Sequence, residues 1–302
     1  MDKINKETSK KNLLNLSTNI KQLNSYINNE IELSSDDIYN KLQWMYSTLS
    51  LNFIYILDEN IFLRRARKFE QKNASTYFFK NTNELSYIQE KDSEYATLQR
   101  LSKEKEPIYY GVVSESHFDK FDTALSEINS NESDYVNILD SKTNKSLTAL
   151  YIGAFDLFSR GQKFPKWIHP LVENSYKEFS DKCKDEENPY LLESHILCSA
   201  FFADILSRKN KGNLYEVTSI LASLILESEK IDSIIYESVQ VKGAPCIVIK
   251  PKVVDEKIEH TDTISVQVKL NLGYGIYYVD ELYTSESIEG NGDIVWEVKL
   301  LK

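Results

Sequence analysis

Apolar residues recur every three or four positions along the first fifty residues, and this spacing predicts two amphipathic helices. The first apolar stripe is Leu13, Leu16, Ile20, Leu23 and Ile27. The second is Ile38, Leu42, Met45 and Leu49. Ser34 or Ser35 can cap the second helix, and Asp36 and Asp37 suit its positive N-terminal end. We expect both stripes to be covered by each other, by the following domain or by a partner, because short helices depend on packing for their stability.

From about residue 53 the pattern changes to short apolar runs of strand length. These runs are FIYIL, IYYGVV, SIIYESV and CIVIK, and their β-branched and aromatic residues favour strands. Residues 144–228 are instead predicted to be mostly helical. The first helical face in that segment is Leu147, Leu150, Tyr151, Ala154 and Phe158. The tail returns to strand, with strict alternation over residues 264–272 and a last run, DIVWEVKLL.

The order of these elements predicts an α+β protein with a small mixed or antiparallel β core. Strands and helices are segregated along the chain, without the regular alternation of a doubly wound sheet. No GxGxxG or GxxxxGK[ST] loop is present, so a Rossmann or P-loop nucleotide site is not expected. We predict an N-terminal helical region over residues 1–55. We predict a second domain over residues 56–302, with a helical insertion at about residues 140–230.

Charge and composition narrow the class of partner. The 302 residues carry 36 basic and 46 acidic side chains, a net charge of −10, which argues against nucleic acid as a ligand. We find no apolar run of about 18 residues and no secretion signal, so a cytoplasmic protein without a membrane partner is expected. The three cysteines and four histidines are scattered singly, so neither a metal site nor a disulfide is expected.

Four separated residues form the most informative pattern in the chain. Arg100 is followed ten residues later by Tyr110 on a predicted strand, and Glu127 ends an Ala-Leu-x-Glu element. Ser238 comes much later, in the run IDSIIYESVQ that precedes CIVIKP. Upstream lie FLRRARKF, which contains Arg65, and the segment ELSYIQ.

In this order the motifs resemble the RES domain, a family of NAD-degrading toxins named for arginine, glutamate and serine. The resemblance covers roughly residues 60–255 and implies a fold like that of ADP-ribosyltransferases. It also implies NAD as the substrate, cleavage of the nicotinamide–ribose bond and no metal. The sequence departs from the family pattern at Gln99, Ser102, Lys105 and Cys246. The gap between Tyr110 and Glu127 is also longer than in the small toxins, so the loop geometry is expected to differ.

The resemblance implies a role for each residue. Glu127 would stabilise the positive charge that develops on the ribose. Arg100, supported by Arg65, would bind phosphate oxygens, and Tyr110 would stack on the nicotinamide ring. Ser238 would donate a hydrogen bond to the nucleotide. Each residue could instead have a purely structural role. Arg100 could be a surface or helix-end arginine, and Tyr110 a core residue of a strand. Glu127 could be a solvated helix residue, and Ser238 could bond to the backbone.

Several functions remain open from the sequence. ADP-ribose could pass to water, to phosphate or to a protein side chain, the last of these in a protein ADP-ribosyltransferase. The chain could instead be a catalytically inactive RES-fold interaction protein. As a toxin or defence effector it would have an antitoxin or regulatory protein as partner. Its N-terminal helices or its helical insertion could restrain the activity in place of an antitoxin, or could form a surface for homo-oligomerisation.

Overall fold

The computed structural model describes residues 5–49, 54–70, 76–114, 121–164, 170–185 and 187–298. The α-helices in this part of the chain are α1 (Lys6–Ile27), α2 (Ser35–Leu49), α3 (Asp122–Glu127), α4 (Ala154–Ser159), α5 (Pro170–Asp185), α6 (Pro189–Ser207), α7 (Leu214–Leu226) and α8 (Pro251–Lys257). The strands are β1 (Ile54–Leu57), β2 (Phe62–Lys68), β3 (Tyr109–Ser114), β4 (Tyr135–Thr143), β5 (Leu147–Tyr151), β6 (Ser233–Glu237), β7 (Pro245–Ile249), β8 (Ile258–Asn271), β9 (Tyr277–Ile288) and β10 (Ile294–Val298). Two short 3-10 helices span Thr82–Glu84 and Glu90–Tyr95.

The chain divides into two compact units that interleave along the sequence. Unit 1 comprises Met1–Tyr55, Leu98–Lys103 and Ala149–Tyr236, and unit 2 comprises Ile56–Thr97, Glu104–Thr148 and Glu237–Lys302. The helices expected to form a separate N-terminal region therefore cluster with the helical segment that was expected to be an insertion. Their buried apolar stripes explain this grouping, because each stripe is covered by a later helix of the same unit.

Most predicted elements are confirmed, including α1, α2, β3, β6, β7 and the alternating strand β8. Ser34 caps α2, with its hydroxyl accepting from the backbone N–H of Asp37 at 3.1 Å. The helical prediction over Leu147–Tyr151 was wrong, because this run forms strand β5 and pairs in parallel with β6. Strands of a parallel pair are buried on both faces, so their apolar residues need not alternate and can imitate helical spacing. Residues 115–120, inside the motif from Arg100 to Glu127, lie outside the described part of the chain.

Unit 1 is built around helices α6 and α7. Helix α1 packs against both of them, and so does α2, with Leu16, Leu23, Ile38 and Leu42 fully buried. The end of α1 meets the loop before α7 closely. A Cβ on Gly212 would lie 2.0 Å from the carbonyl oxygen of Ile27, and the backbone there has a φ of +55°. Only glycine fits this combination of left-handed backbone and contact.

Helix α6 is long and apolar enough, by length and composition alone, to cross a membrane. Core helices of globular proteins meet the same criterion. Its buried residues are Ser194, His195, Cys198, Phe201, Phe202, Ile205 and Leu206. It packs against α1, α2, α4, α5 and α7. These contacts identify α6 as the central core helix of unit 1.

In its described residues, unit 2 has seven antiparallel strands in the order β7-β3-β2-β4-β8-β9-β10. Helix α3 packs on β2 and β3. An apolar cluster packs the segment near residue 80 against the sheet. In this cluster Leu85, Leu139 and Ile294 are buried, and Phe79 and Trp296 pack against them. The indole N–H of Trp296 donates to the carbonyl of Phe79 at 2.8 Å. The observed class is therefore α+β, with both parallel and antiparallel strand pairs.

Candidate functional site

Helix α3 carries Glu127 at its last position. Ala124, Leu125 and Ser126 are buried, because the short helix lies flat on the sheet of unit 2. Lys68 at the end of β2 donates to the carbonyl of Asn129 at 2.9 Å, which fixes the chain just after the helix. Glu127 at the end of this helix is half-buried.

The Glu127 carboxylate is held by Ser238, which lies 111 residues later in the chain. The Ser238 hydroxyl donates to Glu127 Oε1 at 2.5 Å. The Ser238 hydroxyl oxygen, Oγ, accepts from the backbone N–H groups of Gln240 at 3.1 Å and Val241 at 2.9 Å. Ser238 is buried, and its hydroxyl thus locks the turn after β6 to the end of α3. The structure brings together these two predicted site residues.

Tyr110 lies on the sheet face that α3 covers. Residues opposite each other in antiparallel strands share a face, and Arg64 on β2 is opposite Val112 on β3. The Arg64 guanidinium lies 4.8 Å from the ring centroid of Phe121, the residue immediately before α3. Because side chains alternate along a strand, Tyr110 shares this face with Val112 and Arg64. Its side chain is half-buried.

Arg65, predicted to support phosphate binding, lies on the opposite face of the same sheet. Its guanidinium donates to the carbonyls of Leu85 at 2.8 Å and Tyr110 at 2.7 Å. It also lies 5.6 Å from the ring centroid of Tyr109, and burial lowers its pKa below the ordinary value. The Arg65 side chain therefore joins β2, β3 and the segment after residue 80, on the face opposite the side chain of Tyr110.

Arg100 belongs to unit 1, whereas Tyr110, Glu127 and Ser238 belong to unit 2. Its guanidinium donates to the carbonyl of Leu206, at the end of α6, at 2.9 Å. It also lies 5.3 Å from the ring centroid of Tyr215 on α7. Within unit 1 these contacts are those of a helix-end arginine, which is the structural alternative that the sequence left open.

A buried ion pair that was not predicted from the sequence lies on the face shared by Tyr110 and α3. Arg64 donates to both carboxylate oxygens of Asp140, at 2.6 and 2.8 Å, and both side chains are more than nine-tenths buried. Two signals could have indicated it. Adjacent arginines on a strand must face opposite sides, and a single aspartate inside the apolar run of β4 calls for a cationic partner.

The groups that remain available determine what this site can do. Among the described residues, the second carboxylate oxygen of Glu127, Oε2, has no hydrogen-bond partner. A half-buried carboxylate with one fixed and one available oxygen can accept from a sugar hydroxyl or face a developing cation. No group of three or more His, Cys, Asp or Glu side chains close enough to hold a metal occurs in the described ranges.

Comparisons of this chain with protein-family models, with curated proteins and with solved structures found no match.

Proposed function

We propose that this protein is an NAD-degrading enzyme of the RES type, with an ADP-ribosyltransferase-like catalytic region in unit 2. The observation that carries the proposal is the hydrogen bond from Ser238 to Glu127. These residues stand far apart in the sequence, and the family resemblance assigns both of them to one nucleotide site. The position of Tyr110, on the sheet face that α3 covers, supports the assignment of these residues to one nucleotide site.

In the proposed reaction the bond between the nicotinamide nitrogen and C1′ of the ribose breaks. Its electron pair goes to the nicotinamide ring, which leaves as a neutral molecule, so no general acid is needed. The ribose gains oxocarbenium character, and the Glu127 carboxylate stabilises that charge. Water or phosphate then attacks C1′ and loses a proton to solvent. Tyr110 stacks on the nicotinamide and favours its cationic form before cleavage.

Ser238 has a different role in this proposal from the one expected from the sequence. Its hydroxyl hydrogen is given to Glu127, and its oxygen accepts from two backbone N–H groups. We therefore assign Ser238 as a positioning residue, which aims the carboxylate. The phosphate contact of Arg100 stays a prediction, while Arg65 is left out of the site because its guanidinium holds two carbonyls on the other face.

The decisive experiment incubates the purified chain with NAD, with and without phosphate, and identifies the products by mass spectrometry. Free nicotinamide with ADP-ribose indicates hydrolysis, and ADP-ribose 1″-phosphate indicates phosphorolysis. We expect Glu127→Gln to lower turnover by at least about 100-fold, the usual effect of removing a charge-stabilising group. Glu132→Gln, an exposed glutamate of the same unit, is the matched control and should keep full turnover. No nicotinamide release by the wild-type chain would reject the proposal.

The Arg100 assignment is tested in the same assay. If Arg100 binds the pyrophosphate, Arg100→Met should raise the KM for NAD about tenfold, the result of losing roughly 1.4 kcal/mol of binding free energy. An unchanged KM would assign Arg100 to the packing of unit 1 alone, where it contacts Leu206 and Tyr215.

A second candidate function is that of a non-catalytic interaction protein, and the position of Arg100 favours it. A guanidinium already engaged between α6 and α7 is not available to a ligand without rearrangement. The two candidates differ in the NAD assay, because only an enzyme releases nicotinamide. Transfer of label from NAD to protein would instead select a protein ADP-ribosyltransferase. We also propose that the protein acts in the cytoplasm as a toxin or defence effector, under the control of an antitoxin or regulatory protein.

A further inference from the structure

The end of the β8–β9 hairpin exposes an unusual run of large apolar side chains. The exposed residues are Leu270, Leu272, Tyr274, Ile276 and Tyr278, at 45%, 53%, 98%, 47% and 60% exposure. We call residues 270–278 the hairpin end. None of these nine residues is charged, although 27% of the whole chain is. A contiguous apolar patch of this kind marks an interaction surface more often than a scatter of single exposed residues does.

A β-bulge is what turns this apolar row towards solvent. Val266 and Val268 are fully buried, and regular alternation would place Leu270 and Leu272 in the same buried row. The register between β8 and β9 shifts between Val268 and Leu270. An extra residue in one strand reverses the faces beyond it. The row beyond the bulge therefore leaves the core of unit 2.

Four of the exposed side chains share one face of the hairpin. Leu270 is opposite Tyr278 in the register. The backbone N–H of Leu272 donates to the carbonyl of Ile276 at 3.0 Å, which makes these two residues the next pair towards the turn. The face is thus a flat strip of two side-chain pairs, with Tyr274 at the tip.

The hairpin end is anchored rather than loose. The backbone N–H of Tyr277 donates to Asp122 at 3.0 Å, and the Asn271 amide donates to the carbonyl of Ser130 at 3.0 Å. A Cβ on Gly275 would lie 2.9 Å from a methyl group of Val241, so the turn also touches the loop that follows Ser238. A partner would meet a preorganised surface, and little conformational entropy would be lost on binding.

We propose that the hairpin end is the contact surface of a homodimer, in which the strip of one chain packs face to face on the strip of a second copy. The five side chains offer on the order of 600 Å², which is the area per partner at the lower end of specific interfaces, ~1,200 Å² in total. Two chains of net charge −10 repel each other, so an uncharged surface is where they can approach. A flat strip of paired residues suits a two-fold contact, in which the same patch serves both chains.

The test measures the mass of the full chain in solution by sedimentation velocity, from about 1 to about 100 µM, the range of a micromolar dimer. We expect wild-type protein to reach twice 35.0 kDa, and the double variant Leu272→Asp, Tyr278→Asp to remain at 35.0 kDa. Leu14→Asp and Leu171→Asp are the controls, because both leucines are similarly exposed but lie in unit 1. They should dimerise like wild type, and all variants should keep the wild-type far-UV circular dichroism.

A second measurement locates the contact. The three native cysteines are buried, so Leu272→Cys supplies a thiol whose maleimide labelling should slow as the protein concentration rises through the dimer range. Leu14→Cys should label at a constant rate. A wild-type monomer at the highest concentration, or a double variant that still dimerises, would overturn the proposal. Binding of the monomer to phosphatidylcholine vesicles would assign the strip to a membrane instead. None of these outcomes depends on NAD turnover.

Discussion

Among the described residues, units 1 and 2 differ in how completely their buried hydroxyls are hydrogen-bonded. In unit 1, buried polar side chains bond to backbone carbonyls and to one another within the helical packing, as the hydroxyls of Tyr55 and Tyr176 do at 3.2 Å. His195 contacts the carbonyl of Leu49, and Cys198 contacts that of Met45. These groups complete the packing of α2 on α6.

Unit 2 likewise pairs polar side chains with each other. Arg64 pairs with Asp140, and Ser238 with Glu127. All four buried hydroxyls that lack a hydrogen-bond partner among the described residues also lie in this unit, namely those of Ser86, Tyr109, Ser130 and Thr263. Native proteins leave few such groups, and exceptions concentrate at functional sites. The comparison teaches that unit 2 is where a ligand site is to be sought.

The largest expected effect is on the buried ion pair of unit 2. Arg64→Met would leave the Asp140 carboxylate buried without its cation, which costs about 3–5 kcal/mol. Arg100→Met in unit 1 removes one hydrogen bond and one ring contact and should cost about 1–2 kcal/mol. Urea unfolding measures both losses. Adding Asp140→Leu to Arg64→Met should restore most of the stability, and equal losses in the two single variants would remove the contrast between the units.

A smaller effect is expected from His195, which is neutral in the folded protein. Burial lowers its pKa to about 4, whereas the unfolded chain titrates near its ordinary value of about 6.5. The unfolded state therefore takes up a proton first, so stability is full above about pH 6.5 and falls as the pH drops towards 4. Between pH 7 and pH 5 the loss from this one residue is about 2 kcal/mol.

Comparison with His195→Gln isolates that contribution, because glutamine can still donate to the Leu49 carbonyl without titrating. The drop in unfolding free energy from pH 7 to pH 5 should be about 2 kcal/mol smaller in the variant than in wild type. Parallel drops would mean that His195 is hydrated or charged in the folded state, and the tight polar packing inferred for unit 1 would not hold.

The smallest expected effect is that of Ser238→Ala, which tests whether Ser238 acts through Glu127. Loss of the hydrogen bond should lower kcat about tenfold, or roughly 1.4 kcal/mol, with little change in KM. Ser238→Thr keeps the hydroxyl and should recover most of kcat. A purely structural role would instead lower the melting temperature of the alanine variant while leaving kcat of the remaining folded protein unchanged.

Local patterns were good predictors of the elements and poor predictors of their faces. The stripes of α1 and α2 and the alternation of β8 follow from the periods of helix and strand, and the structure confirms them. The sequence could not show which face of the sheet each arginine of β2 occupies, because adjacent arginines look equivalent until the neighbouring strands are known. Arg65 was therefore chosen where Arg64 occupies the face shared with Tyr110. The alternation of β8 was also extended to Leu272 without the bulge that redirects its last residues.

By itself, the sequence determined the position of most helices and strands and that the protein is of the α+β class, because propensity and periodicity act over a few residues. It also supplied Glu127 and Ser238 as separate candidates. Only the tertiary structure decided that their side chains meet, that Arg100 lies in the other unit, and which face each strand residue occupies. These outcomes depend on strand register and on contacts between residues more than a hundred positions apart, which no local pattern encodes.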